Sequence, residues 1–214
     1  MPEQRDYQKF LTPANVVTAL RITFIPVFVL LILAPWPDWA PDPQLAAWVK
    51  PWVAAVVDTL RAVTDSVDGY LARSRNEVTN LGKFLDPLAD KILVAAAMLA
   101  LIELGKLPSW IALIILTREF LVSGLRMVAS AEGKVIAASM LGKVKTVFQI
   151  IAMVCFIVKD SSGIESLPVP LPFLFETLSW LVMTVALILT LLSLIDYFRK
   201  SSDVLGIPQR GGED

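Results

Sequence analysis

Asp65-Ser-Val-Asp68-Gly69-Tyr-Leu-Ala72-Arg73, then eight residues, then Gly82-Lys-Phe-Leu-Asp86-Pro-Leu-Ala-Asp90, is the stretch on which the architecture turns. Asp65 and Asp68 are three residues apart and Asp86 and Asp90 four apart, so on helices each pair shares one face. Apolar runs bracket the stretch, residues 48–57 before it and 92–104 after it. Two helices joined by a short polar turn would therefore set four carboxylates opposite one another. Ionisable side chains are expensive against lipid, so these helices must turn them towards a protein interior or a wet cavity. Asp58 and Arg61, three apart on the first of the two, read most simply as a pair with each other.

Outward from that centre the chain is apolar. Of its 214 residues 56% are hydrophobic, above the roughly 45–50% of soluble domains, and the mean hydropathy is +0.66. A membrane helix needs about 20 mostly apolar residues. Segments 16–34, 92–104, 110–128, 144–158 and 173–197 approach that length, and the run from Trp48 through Val63 into the aspartates makes a sixth. Pro35, Pro37, Pro41 and Pro43, then Gly105 and Pro108, then Pro168, Pro170 and Pro172 punctuate the connections. The expectation is an all-α integral membrane protein of six transmembrane helices, a single domain over 1–214. Residues 1–11 would form a short amphipathic helix on the membrane face, and 201–214 a flexible cytoplasmic tail. Glu3, Arg5, Asp6 and Lys9 do not suit a cleaved signal peptide. Trp36, Trp39, Trp48 and Trp52 suit an interfacial aromatic belt.

Charge fixes the expected orientation. The net charge of −1 gives no bulk attraction to nucleic acid. By position, fourteen Lys and Arg residues fall on one side of the six-span scheme and only Lys50, Lys106 and Lys159 on the other. That asymmetry puts both termini, and the aspartates with them, on the cytoplasmic side of the cell (inner) membrane.

The residue inventory narrows the chemistry. There is no histidine, and the single cysteine, Cys155, lies in an apolar run where it reads as packing. Any general base must then be a carboxylate, lysine or tyrosine, and any metal must sit mainly on oxygen. Four carboxylates left together in a low dielectric would repel and take up protons. Divalent cations resolve this: oxygen ligands favour Mg²⁺ or Mn²⁺, with Ca²⁺ a further candidate, and four carboxylates suffice for two ions about 4 Å apart. Gly69 and Gly82 would let a phosphate, sugar or base approach the backbone, and Ala72 would widen the same groove. The bland alternative, solvated caps or salt bridges, suits any one aspartate but not the whole set.

The pattern D-x-x-D-G-x-x-A-R-x₈-G-x₃-D-x₃-D, met without departure from Asp65 to Asp90, resembles the signature of the CDP-alcohol phosphatidyltransferase family. The resemblance implies a six-helix membrane enzyme, usually a homodimer, with a dimetal site open to the cytoplasm and CMP as leaving group. It implies Asp65, Asp68 and Asp86 as metal ligands and Asp90 as general base, on a carboxylate that the spacing also offers to the metals. Asp65, Asp68, Gly69, Ala72, Arg73 and Gly82 would surround the CDP moiety.

The acceptor is to be read from a second, basic set: Arg118, Arg126, Lys143 and Lys145. Arg118 lies inside an apolar run and needs an anion. Glu119, adjacent in sequence, is expected to point away, and Arg126 follows two turns later on a similar face. Together the four could hold a phosphomonoester. The rival readings are an intramembrane salt bridge for Arg118 and positive-inside anchoring for the other three. The stretches around Thr117–Arg126 and Gly133–Thr146, and Leu11-Thr-Pro-Ala-Asn15 leading to Arg21, resemble the branch of the family that joins CDP-diacylglycerol to glycerol 3-phosphate. Sister branches accepting phosphatidylglycerol or an inositol phosphate share the aspartates. A transporter is the alternative from another class, but its charged site would be expected near the bilayer midplane rather than towards one face.

Overall fold

Proline, glycine and serine mark the helix ends much as the pattern of apolar runs requires. The computed structural model describes residues 13–34, 42, 45, 48–60, 80–131, 133 and 139–201, without the side chains of 13–21, 80–87, 90, 131 and 200. These residues form helices α1 (Pro13–Leu33), α2 (48–60), α3 (Asn80–Glu103), α4 (Ser109–Ala131), α5 (Met140–Val158), α6 (Ser162–Glu165) and α7 (Leu171–Lys200). No strand occurs among them. The five apolar segments and the described part of the sixth are all helical. The one-turn α6 was not legible in the hydropathy pattern. Residues 1–11, 202–214 and 61–79 lie outside the described residues, and with them the expected amphipathic helix, the tail, Arg61, Asp65, Asp68, Gly69, Ala72 and Arg73.

Three of the helix ends show a local cause. Gly105 ends α3 with φ +69°, where the amide of Lys106 donates to Leu101 O at 2.9 Å and that of Gly105 to Ile102 O at 2.8 Å. This is the left-handed termination that glycine makes inexpensive. α4 opens directly after Pro108, and Ser139 caps α5 by accepting from the amide of Gly142 at 3.1 Å. Along α7, Thr177, Ser179, Thr184 and Thr190 donate to the carbonyl four residues back, so their hydroxyls are satisfied without water.

α5 and α7 pack along their length, as do α1 and α3, while α3 meets α4 and α4 meets α7. Phe156 sets its ring edge-on to Trp180 at 5.0 Å near one end of the α5–α7 pair, and Gly142 lies beside Ser193 near the other, so the two helices are antiparallel. The buried core is rich in alanine: Ala54, Ala55, Ala97, Ala100, Ala112, Ala152 and Ala186 lie among Phe28, Leu93, Met98, Ile115 and Phe156. Small residues bring helix backbones close, the form of packing that works where lipid removes any hydrophobic drive between helices.

The outer surface is apolar too. Leu113 is 66% exposed, and Leu99, Leu178, Leu181, Ile188, Leu192 and Ile195 also face outward. Two helices of the described residues are long and apolar enough to cross a membrane, Met140–Val158 and Leu171–Arg199. Only 39% and 28% of them is buried within the fold, so neither is the hidden core helix of a water-soluble protein. So much outward apolar area suits lipid rather than water, and the chain is an all-α membrane protein.

The end of the bundle that holds the α3–α4 and α5–α7 connections carries the few lysines expected there. Lys106 Nζ donates to Ile157 O at 3.3 Å and pairs with Asp160 at 3.6 Å, and Lys50 Nζ donates to Ala34 O at 2.7 Å. Both cap helix C-termini, where the backbone dipole favours a cation. Burial lowers the Lys106 pKa from its ordinary value, with Asp160 opposing the shift. Trp48 and Trp52 lie at the same end, ring centroids 6.5 Å apart, packed over Gly163.

Candidate functional site

Four charged side chains from three helices meet in the interior: Lys91 of α3, Arg118 and Glu119 of α4, and Lys145 of α5. Glu119 is the hub. Its Oε1 accepts from Lys145 Nζ and, at 3.2 Å, from Arg118 Nη1, while its Oε2 lies 3.7 Å from Lys91 Nζ. The Lys145 and Arg118 side chains are 2% and 8% exposed, so water screens them little. The expectation that Glu119 points away from its neighbour is therefore wrong. Adjacent helical residues diverge at Cβ, but the long arginine and glutamate stems reach back to each other where both seek the same buried partners.

Among the described side chains, three cations face one carboxylate, which leaves this group with excess positive charge. Arg118 Nη2 donates to Ser193 Oγ of α7, yet its Nε is buried with no hydrogen-bond partner. A buried unpaired donor on a cation is costly, and a phosphate is the kind of group that removes that cost. Gly142 adjoins this corner: a Cβ there would lie 3.6 Å from Arg118 Nη2 and 3.4 Å from Ser139 Oγ. Its missing side chain keeps the approach to Arg118 open at the capped start of α5.

Arg126 sits two turns along α4, with its Nε donating to the hydroxyl of the fully buried Tyr197 and its guanidinium carbon 5.2 Å from that ring's centroid. Ser193 and Tyr197 are one turn apart on α7, so the two arginines meet one strip of that helix, as their spacing implied. Lys143 and Arg126 are exposed, whereas Lys145 is buried. The structure thus joins Arg118 with Lys145, sets Arg126 beside them on the same α7 strip, and leaves Lys143 at the surface.

Sequence reasoning missed Lys91, Glu119, Ser193 and Tyr197. Lys91 is one of the fourteen lysines and arginines that the charge asymmetry places on the cytoplasmic side. Ser193 and Tyr197 did carry a signal, as polar groups one turn apart towards the C-terminal end of a largely apolar helix. Asp86, Asp90 and Gly82 all lie on the backbone of α3, with Asp86 and Asp90 one helical turn apart and Lys91 directly after Asp90. Asp58 is buried on α2. Among the described residues no three His, Cys, Asp or Glu side chains cluster, and the side chains of the four aspartates are not among them.

Fold and site define a class: an all-helical membrane protein with a buried, cation-rich site next to a helix bearing two carboxylates one turn apart. The CDP-alcohol phosphatidyltransferase family matches residues 11–192, and the chain belongs to that family. A relative from Bacillus subtilis (strain 168), CDP-diacylglycerol–glycerol-3-phosphate 3-phosphatidyltransferase, is 41% identical over 89% of this chain and 95% of its own length. A protein of the same name from Escherichia coli (strain K12) is 35% identical over 86% and 91%. A probable phosphatidylglycerophosphate synthase from Mycobacterium tuberculosis (strain ATCC 25618 / H37Rv) is 35% identical over 92% and 85%.

Proposed function

We propose that this chain transfers the phosphatidyl group of CDP-diacylglycerol to glycerol 3-phosphate, giving phosphatidylglycerophosphate and CMP. The observation that carries the acceptor is the buried Arg118–Lys145 pair with the half-buried Lys91 beside it, three cations on one carboxylate among the described side chains, with Arg118 Nε unpartnered. The names of relatives matching nearly the whole chain agree with it. The acceptor's phosphate would sit against Arg118 and Lys145, with Arg126 and Lys143 at its outer rim.

The donor set fits divalent cations, because the sequence offers carboxylates and no histidine, and α3 puts Asp86 and Asp90 one turn apart. Asp65, Asp68, Asp86 and Asp90 would hold two Mg²⁺ or Mn²⁺ ions, which when bound supply Lewis-acid polarisation of the donor's diphosphate. Asp90 takes the proton from the acceptor's hydroxyl as that oxygen attacks the β-phosphorus. Arg73 holds charge on the departing CMP, and Gly69, Ala72 and Gly82 leave room for the nucleotide. Burial of Arg118 and Lys145 keeps water from competing with the acceptor for their charge.

The finer topology belongs to the same reading: six spans, an amphipathic helix over 1–11, a homodimer, and both termini and the active site at the cytoplasmic face of the cell membrane. It is supported by the sorting of lysines and arginines and by Lys50, Lys106 and Lys159 lying at one end. The test is a panel of acceptors with labelled CDP-diacylglycerol and purified protein, measuring CMP release. Glycerol 3-phosphate should exceed glycerol, inositol phosphate and phosphatidylglycerol. Equal or better turnover with any of these overturns the acceptor, and no CMP release with any of them overturns the reaction.

A further inference from the structure

We infer that Glu119 is a positioning residue for the acceptor, holding Lys145 and Arg118 at the spacing a phosphate needs and tying them through Lys91 to α3. This rests on the proposal that a phosphate occupies the basic group. Glu119 reaches cations from three helices at once: Arg118 Nη1 at 3.2 Å on α4, Lys145 Nζ on α5 and Lys91 Nζ at 3.7 Å on α3. Its carboxylate is itself mostly buried, at 17% exposed.

Without that carboxylate, three like charges would face one another with little water between them and would spread apart. With it, Lys145 and Arg118 share one oxygen, Oε1, so their charged ends are held near a common point while donors on each stay free for a second anion. Arg118 is fixed on a further side by Ser193, and its buried Nε has no hydrogen-bond partner. The third arm matters differently. Lys91 follows Asp90 in the chain, so the Lys91–Glu119 contact links the acceptor's cations to the helix segment bearing Asp86 and Asp90. Glu119 touches no reacting atom in this account; it acts through the cations that do.

The experiment uses the full-length protein with Glu119→Gln, Glu119→Asp and Lys91→Met, each checked for a monodisperse profile and thermal midpoint in detergent. Glu119→Gln should raise KM for glycerol 3-phosphate about tenfold or more, as expected for loss of a charge-assisted contact, and leave KM for CDP-diacylglycerol near wild type. Glu119→Asp, which keeps the charge on a shorter stem, should recover part of the loss. Lys91→Met removes only the arm to α3 and should lower kcat more than it raises KM. Unchanged KM in Glu119→Gln overturns the proposal. So does a lowered KM, because the carboxylate would then compete with the phosphate instead of supporting its partners. If Glu119→Gln does not fold, wild-type kcat and KM in Lys91→Met overturn the link to α3, and a Glu119→Asp variant with wild-type KM despite its shorter reach overturns the positioning role. Failure of the phosphate reading itself would appear in the wild type, as glycerol matching glycerol 3-phosphate. Failure of the Glu119 role leaves that preference intact.

Discussion

Arg118 binds on two sides within the protein, to Glu119 and to Ser193, and keeps Nε for something else. A charge-assisted hydrogen bond to a phosphate is worth about 1.5–3 kcal/mol, roughly 10- to 150-fold. Arg118→Ala should lower kcat/KM for glycerol 3-phosphate by that factor with little change in KM for CDP-diacylglycerol. Arg118→Lys should restore little, since a lysine cannot fork between Ser193, Glu119 and a phosphate. Steady-state kinetics varying each substrate in turn check both. Recovery by lysine would mean that charge alone, not geometry, holds the acceptor. At this scale the sequence was half legible. A buried arginine in an apolar run announces that it needs an anion, and the eight-residue gap to Arg126 places both on one strip. It does not announce that the neighbouring glutamate bends back to serve it, because that depends on Lys145 and Lys91 arriving from other helices.

At the scale of elements, α3 is the helix whose first half carries most of its charges and whose second half is core. Leu93, Ala97, Met98 and Leu101 bury its later turns, while Asp86 and Asp90 occupy its earlier ones. Asp86→Asn should abolish turnover in a protein that still purifies as a folded membrane protein, and EDTA should do the same reversibly, with Mg²⁺ or Mn²⁺ restoring activity. Asp90→Asn should cut kcat by at least ~10²-fold as a lost general base while the nucleotide lipid still binds. Full activity in chelator would remove the metals from the mechanism. The helix ends allow a separate test. Gly105 has φ +69° and open space around it, so Gly105→Ala should destabilise by about 1–2 kcal/mol through the backbone alone, and Gly105→Asn by less. Gly163 is the opposite case. A Cβ there would come within 2.7 Å of Trp48 Nε1 and 3.1 Å of Trp52 Nε1, both rigid rings, so Gly163→Ala should cost about 1–3 kcal/mol by overpacking and Gly163→Asn more. Thermal midpoints in detergent should rank Asn above Ala at 105 and below it at 163.

For the molecule as a whole, helix positions were legible because long apolar runs interrupted by proline and glycine leave few alternatives. α3 and α4 are the weaker spans by hydropathy: Lys83, Asp86, Asp90 and Lys91 lie on one and Arg118, Glu119 and Arg126 on the other, and among the described side chains the pairing of Lys91 and Arg118 with Glu119 helps explain why such charges are tolerated. The one-turn α6 left no hydropathy signal because four residues carry too little apolar area to register. What the sequence does offer at this scale is sidedness, and the structure supplies two places to test it. Val169, 91% exposed between α6 and α7, and Met140, 72% exposed at the start of α5, lie at opposite ends of the antiparallel α5–α7 pair. At 1.5 Å per residue the 19 residues of α5 separate those ends by about 28 Å, close to the thickness of a bilayer's hydrocarbon core. In a Cys155→Ser background, a membrane-impermeant thiol reagent applied to intact cells should label Val169→Cys and spare Met140→Cys until the membrane is opened. The reverse pattern would place the basic end outside and remove the acceptor site from the compartment that supplies a soluble phosphorylated acceptor. Labelling of both in intact cells would mean that α5 does not span at all.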